Sequence, residues 1–235
     1  MRIHPIFSTL CNGLIVSCQA LEDEPLYGAE HMAAMARAAV MGGALGIRAN
    51  SPIDIAAIRA LVHLPLIGLY KQTIPGFEVY ITPTIEAALQ VSQAGADIIA
   101  MDATLRLHPG GKSSADLIAE IKTVTGKPIL ADIDTFDAGL AAVASGADAV
   151  STTMSGHTAA SMRPEGPDFD LLARLVARLD IPVIAEGSFW TPDEALRALQ
   201  LGAYAVVIGA AITRPQLITR RFVTEIMRFY STEAK

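Results

Sequence analysis

Six charged side chains close apolar runs in this sequence: Arg48, Lys71, Asp102, Asp132, Asp134 and Glu186. A charge at the end of a buried strand costs free energy unless a partner or a ligand uses it. One such residue is ordinary, but six on five runs mark a site. Ion pairing across the mouth of the sheet, for example Arg48 with Asp132, is the alternative use. Lys71 and Glu186 carry the chemistry most directly. Burial lowers a lysine pKa toward neutrality and raises a carboxylate, so both can move protons near neutral pH. Two such groups facing each other would take a proton from one face of a carbon and return one to the other. The rival use of Lys71 is a Schiff base with a carbonyl substrate. For Glu186 the rival is a salt bridge to Lys71 or Arg48.

A second set of residues suits an anion. Glu186-Gly187-Ser188 and Gly209-Ala210-Ala211 place small residues where backbone N–H groups can approach a phosphate. Arg214 then leads into Pro215, the opening of a helix, whose N-terminus favours negative charge. Arg214 adds a charged donor. Gln19 and Thr152 end two further runs, and His157 follows in the loop after Thr152-Thr153 as a candidate ligand contact. The five histidines show no metal-ligand spacing, and no metal or cofactor is expected. The stretch from His108 to Lys112 is glycine-rich but lacks P-loop spacing.

The elements that must hold these residues show in a repeat. Gly-Ala precedes an apolar run four times, at Gly43, Gly95, Gly146 and Gly202, spaced 52, 51 and 56 residues apart. Between these lie runs led by Pro65, Pro128 and Pro182. With the first run they predict eight strands near 14–20, 44–49, 65–70, 97–102, 128–133, 148–153, 182–187 and 204–209. The runs are continuous rather than alternating, as in parallel strands covered by helices. Proline at a strand start removes no interior ladder bond, and glycine suits the end of the preceding helix. Helical patterns fill 84–94 and 192–201. Thr82-Pro83 and Thr191-Pro192 read as N-caps followed by proline at the first helical position. Strand and helix repeated eight times predict an α/β (β/α)8 barrel. A doubly wound open sheet is the alternative, but no G-x-G-x-x-G follows the first strand. In the barrel, Lys71 and Glu186 end strands three and seven, on opposite sides of the ring.

The chain has 235 residues, with 51% hydrophobic and 18% charged, which excludes disorder as the dominant state and fits one domain over 1–235. The net charge of −6 argues against nucleic acid or an anionic membrane as partner. No apolar run reaches the eighteen or so residues of a membrane span. The uncharged stretch between Arg2 and Glu22 resembles a leader, and 15–18 a lipidation box. Pro5, Ser8, Thr9, Asn12 and Gly13 interrupt it, so a short helix followed by a buried strand is expected. Cys11 and Cys18 support no disulfide framework. A cytoplasmic protein with reduced thiols is expected.

The residues at the strand ends resemble a known family. The carriers are Ser17-Cys18-Gln19 with Glu24-Pro25-Leu26, Gly46-Ile47-Arg48-Ala49-Asn50, Pro65 through Gly68 to Lys71, and Met101-Asp102-Ala103-Thr104. They continue through Ala131-Asp132, Thr152-Thr153-Met154-Ser155-Gly156 with Thr158, Ala185-Glu186-Gly187 and Gly209 to Arg214. Over about 8–216 the chain is similar to the bacterial N-acetylmannosamine-6-phosphate 2-epimerases, barrels of the ribulose-phosphate-binding type. The resemblance implies interconversion of N-acetylmannosamine 6-phosphate and N-acetylglucosamine 6-phosphate in sialic-acid breakdown. It implies Lys71 and Glu186 as proton-transfer residues. It also implies that Gln19, Arg48 and Asp132 bind and orient the amino sugar; Asp102 and Thr152, at the ends of strands four and six, are expected beside them as substrate contacts. Gly187, Ser188, Gly209, Ala210 and Arg214 would hold the phosphate. The partner would be a small amino sugar phosphate. A homo-oligomer, with a dimer favoured, would use the final helix near 220–230. Three positions depart from the family pattern: His157 stands where tyrosine is usual, Ala210 where serine is common, and Ser188-Phe189-Trp190 follows Gly187. The reading that remains beside this one is another phosphate-binding barrel, such as a Schiff-base aldolase or a thiamin-pathway synthase. A non-catalytic sugar-phosphate binder is the third.

Overall fold

Eight parallel strands close into a ring in sequence order in the computed structural model, which describes residues 3–162 and 164–233. The strands are β1 (Gly13–Cys18), β2 (Gly46–Asn50), β3 (Leu66–Leu69), β4 (Ile98–Asp102), β5 (Ile129–Asp132), β6 (Ala149–Ser151), β7 (Val183–Glu186) and β8 (Ala205–Ile208). β1 pairs with β8, Ile15 standing opposite Val207, and this closes the barrel. Around the ring run α2 (Ala29–Met41), α3 (Pro52–Arg59), α4 (Ile85–Gln93), α5 (Ser114–Thr125), α6 (Phe136–Ala144), α7 (Phe169–Arg178) and α8 (Pro192–Gln200). A short α1 (Pro5–Ser8) precedes β1, and α9 (Ala210–Thr213) and α10 (Pro215–Glu233) follow β8. The expected (β/α)8 architecture is therefore present.

Both faces of each strand are buried, which is why the runs read as continuous. Val16, Ile47, Ile99, Ala131, Val150, Ala185 and Val206 face the helices. Ile15, Ile67, Ile98, Leu130, Ala149, Ile184 and Ala205 fill the barrel interior. Phe7 and Leu10 join that interior cluster, wholly buried, and seal the floor of the barrel at the starts of the strands. Side chains alternate along a strand. Two residues beyond the last inward apolar position the same face carries Ser17, Arg48, Asp132, Ser151 and Glu186. Parity alone therefore aims the polar residues at the mouth.

The four repeat glycines have φ between +92° and +103°, a region that side-chain-bearing residues rarely enter. At Gly202 a Cβ would also lie 2.7 Å from Val176 Cγ1. Each strand is one to three residues shorter than its apolar run, because the flanking residues bond outside the ladder. Pro65, Pro128 and Pro182 precede their strands and give their carbonyls to Ile47, Ile99 and Val150.

The expectation that Thr82 caps a helix is corrected. Thr84 caps α4 instead, its hydroxyl accepting from the Ala87 N–H. Thr82 lies buried at φ +45°; its hydroxyl donates to the Ala100 carbonyl (2.6 Å) and accepts from the Tyr70 N–H (3.1 Å). The reason is a hairpin over 70–82. Lys71 bridges Ile81 in antiparallel fashion, and the Gln72 N–H donates to Tyr80 O at 2.9 Å. Thr191 does cap α8, in a reciprocal pair with Glu194. Among the described residues no helix is long and apolar enough to cross a membrane.

Candidate active site

A cavity of about 390 Å³ opens at the C-terminal ends of the strands. Arg48 stands at its base, 1% exposed. Its two terminal nitrogens donate to the Asp132 carboxylate at 3.0 and 2.6 Å, and Nη1 also lies 3.0 Å from Glu186 Oε2. The planar guanidinium thus joins β2, β5 and β7 in one ionic cluster. Thr153 sits between the two carboxylates, its Oγ1 2.7 Å from Asp132 Oδ1 and 3.0 Å from Glu186 Oε2. The main chain of β7 is held too: the Thr152 hydroxyl donates to Glu186 O at 2.8 Å and accepts from its N–H at 3.0 Å.

Lys71 and Glu186 both line the cavity. Asn50 Oδ1 accepts from the Lys71 N–H at 2.8 Å, so β2 fixes the start of the hairpin. Burial lowers the Lys71 pKa to about 8; Arg48 pushes the same way, while Glu186 opposes it. Burial raises the Glu186 pKa, helped by Asp132 and opposed by Arg48, the Thr153 hydroxyl and Lys71. The ammonium and the carboxyl are thereby drawn toward a common titration range, as an acid–base pair needs. For Arg48, burial works against the charge, but Asp132 and Glu186 outweigh it and its pKa rises.

One wall of the cavity is suited to an anion. Gly187, Ser188, Gly209, Ala210 and Arg214 all line it. Gly187 and Ser188 have φ of +110° and +60°, a tight turn that costs strain at a serine. The first amides of α9 have no carbonyl to bond within their own helix. Thr213 fastens that helix to β1, its hydroxyl lying 3.1 Å from Ser17 O. Arg214 is held by Glu24 at 3.1 Å.

Gln19 lines the same cavity, and its Nε2 donates to Ser17 Oγ at 2.9 Å. Its Oε1 is buried with no partner among the described residues. Asp132 lies behind Arg48, 0% exposed, and does not line the cavity. Thr152 is likewise behind it, spent on the backbone of Glu186. Asp102 is elsewhere: Arg106 (2.8 Å) and the Thr104 hydroxyl (2.7 Å) occupy its oxygens below the rim. Asp134 accepts from the Thr158 hydroxyl at 2.6 Å. His157 does reach the cavity wall.

Sequence reasoning missed Tyr80 and Thr153, both of which line the cavity. Tyr80 arrives on the 70–82 hairpin, outside every apolar run. Thr153 carried a signal, standing two residues beyond inward-facing Ser151. Among the described residues no cluster of histidine, cysteine and carboxylate could hold a metal ion.

Fold and cavity together describe a barrel with a lysine and a glutamate on one cavity at its mouth, beside a wall of small residues where this fold commonly holds phosphate. A family model described as "Putative N-acetylmannosamine-6-phosphate epimerase" matches residues 32–228. A relative from Caldanaerobacter subterraneus is 51% identical over 233 residues, covering 98% of both chains. One from Thermosynechococcus vestitus is 48% identical over 214 residues, covering 91% of this chain and 93% of its own. Both bear the name "Putative N-acetylmannosamine-6-phosphate 2-epimerase". The solved N-acetylmannosamine-6-phosphate 2-epimerase from Clostridium perfringens superposes with a TM-score of 0.91 at 43% identity, covering 95% and 97% of the two chains. A thiamine phosphate pyrophosphorylase from Pyrococcus furiosus, 18% identical with a TM-score of 0.60 over 88% and 89% of the two chains, shares the fold. The chain belongs to the N-acetylmannosamine-6-phosphate epimerase family.

Proposed function

We propose that this chain interconverts N-acetylmannosamine 6-phosphate and N-acetylglucosamine 6-phosphate by moving the proton at C2. Family membership supplies the substrate. The observation that carries the mechanism is the pair Lys71 and Glu186 on one cavity, with pKa values pushed toward each other. In the open-chain sugar the C1 aldehyde makes the C2 proton acidic. One member of the pair removes that proton, leaving an enolate. The other delivers a proton to the opposite face, and the electron pair returns to C2. Arg48, fixed by Asp132 and 1% exposed at the base of the cavity, supplies positive charge to the enolate. Gln19 Oε1 suits the acetamido N–H, since a buried acceptor without a partner is costly until a ligand fills it. Gly187, Ser188, Gly209, Ala210 and Arg214 suit the phosphate. Asp132 acts through Arg48, and Asp102 and Thr152 receive no sugar contact in this reading.

The test is incubation with N-acetylmannosamine 6-phosphate in D2O, with C2 followed by proton NMR. The gluco epimer should appear with deuterium at C2. Unchanged substrate that keeps its C2 proton, in the presence of folded protein, would overturn the reading.

Two further features of the reading concern setting. A phosphorylated sugar does not cross a bilayer unaided, which supports action in the cytoplasm. α10 leaves Phe222, Val223, Ile226, Met227, Phe229 and Tyr230 exposed, a large apolar face for an isolated chain. Arg221 on the same helix stacks over Trp190 at the cavity rim, 4.5 Å from the ring centre. A homodimer across α10 would cover that face. Light scattering should give twice the chain mass, and the mass of a single chain would refute it.

A further inference from the structure

One hydroxyl in the ionic cluster is over-committed. Thr153 Oγ1 is within hydrogen-bond reach of Asp132 Oδ1 and Glu186 Oε2, and Ser151 Oγ lies 2.8 Å away. A hydroxyl has one proton and two lone pairs, so it serves one carboxylate at a time. When Glu186 is ionised, the carboxylate not served faces a lone pair. When Glu186 carries a proton on Oε2, the three short contacts are satisfied together: Glu186 and Ser151 donate to Thr153, and Thr153 donates to Asp132, leaving over only the longer approach of Ser151 Oγ to Glu186 Oε2 at 3.5 Å. Asp132 keeps its two Arg48 donors in both cases.

We propose that Thr153 is a positioning residue for the proton transfer, its hydroxyl proton turning from Asp132 to Glu186 when Glu186 gives up its own proton and turning back when Glu186 regains one. Thr153 loses no proton; only its C–O bond rotates. The transfer itself runs between the Glu186 carboxyl and substrate C2. A hydrogen bond donated to a carboxylate is worth more than one exchanged with the neutral acid. The rotation therefore lowers the cost of ionising a carboxyl whose pKa burial and Asp132 raise. This inference rests on the reading of Glu186 as a proton carrier. The other charges facing Glu186 are Arg48 on β2, Lys71 beyond β3 and Asp132 on β5. Tyr80 from the hairpin, His157 after β6 and Arg214 after β8 share the cavity. Substitution at 153 leaves all of them in place.

The test is the pH dependence of kcat/KM on N-acetylmannosamine 6-phosphate for wild type, T153V, T153S and E186Q. In T153V the acid limb should move up by about one pH unit, with a fall of about tenfold below it, because the charged form of Glu186 has lost a donor. T153S, which restores the hydroxyl, should return the limb. An unmoved limb in T153V, or T153S no different from T153V, overturns the proposal. E186Q separates the two levels: wild-type turnover there removes Glu186 as proton carrier, whereas an inactive E186Q with an unmoved T153V limb removes Thr153 alone. T153A carries the same comparison if circular dichroism shows T153V unfolded.

Discussion

Replacing Arg48 by methionine (R48M) removes the only cation in direct contact with both Asp132 and Glu186 among the described residues. The hydrocarbon stem is roughly kept, and the buried Asp132 and part-buried Glu186 carboxylates remain without that donor. Breaking a buried ion pair from one side costs about 3–5 kcal/mol, since the orphaned charge stays desolvated. For a chain of this size each kcal/mol moves Tm by about 2–4 °C, so Tm should fall by about 6–20 °C at neutral pH. The pH dependence has a definite sign. Glu186 already holds its proton more tightly folded than an ordinary glutamate, because burial and Asp132 outweigh Arg48. Without Arg48 its folded pKa rises further. A carboxyl with a raised folded pKa favours the folded state at pH below its unfolded value. That advantage is lost as pH rises through the folded pKa. The deficit of R48M should therefore shrink on acidification from pH 8 to pH 5. The double variant R48M/D132L, which replaces the pair by apolar side chains, should recover much of the loss. Thermal unfolding followed by circular dichroism at several pH values measures all three quantities. A deficit for R48M below about 1 kcal/mol, or one that grows on acidification, would refute the view of this cluster as a desolvated, mutually dependent set.

Other consequences are simpler to test. K71A and E186Q should each lower kcat by orders of magnitude while substrate binding by calorimetry changes little, and near-normal turnover in both would sink the pair. Borohydride treatment with substrate should leave no adduct on Lys71, and a trapped adduct would favour aldolase chemistry. In wild type, activity should fall as pH rises through about 8, where Lys71 gives up its proton, and a flat profile to pH 10 would contradict the assignment. G202A places a Cβ at φ +95° and against Val176, and should destabilise by about 1–3 kcal/mol in denaturant unfolding. Cys11 is exposed, while the buried Cys18 thiol is pushed up to about 12. Ellman's reagent should therefore modify one thiol quickly and the second only on unfolding.

The barrel was readable because its signal repeats. Gly43, Gly95, Gly146 and Gly202 mark the same turn four times, and ring position alone put Lys71 opposite Glu186. Asp102 shows where such reasoning stops. It ends β4 just as Asp132 ends β5, and in sequence the two look alike. Their fates differ because Arg106, four residues on in an irregular loop, closes back over Asp102, whereas Asp132 meets Arg48 from 84 positions earlier. Tyr80 was hidden for a related reason: the 70–82 hairpin is built from main-chain bonds and has no apolar period. Thr82 and Thr84 flank one proline, and only the hairpin decides which becomes the cap.

The sealed floor bears on how such a molecule can be regulated. With Phe7 and Leu10 filling the base of the barrel, the mouth serves for arrival and departure alike. Two epimers that use one doorway and one binding wall exclude each other, so each is a competitive inhibitor of the other's conversion. Net flux then answers to the supply of one sugar phosphate and the removal of the other. The barrel acts as a passive valve whose direction is set by what surrounds it.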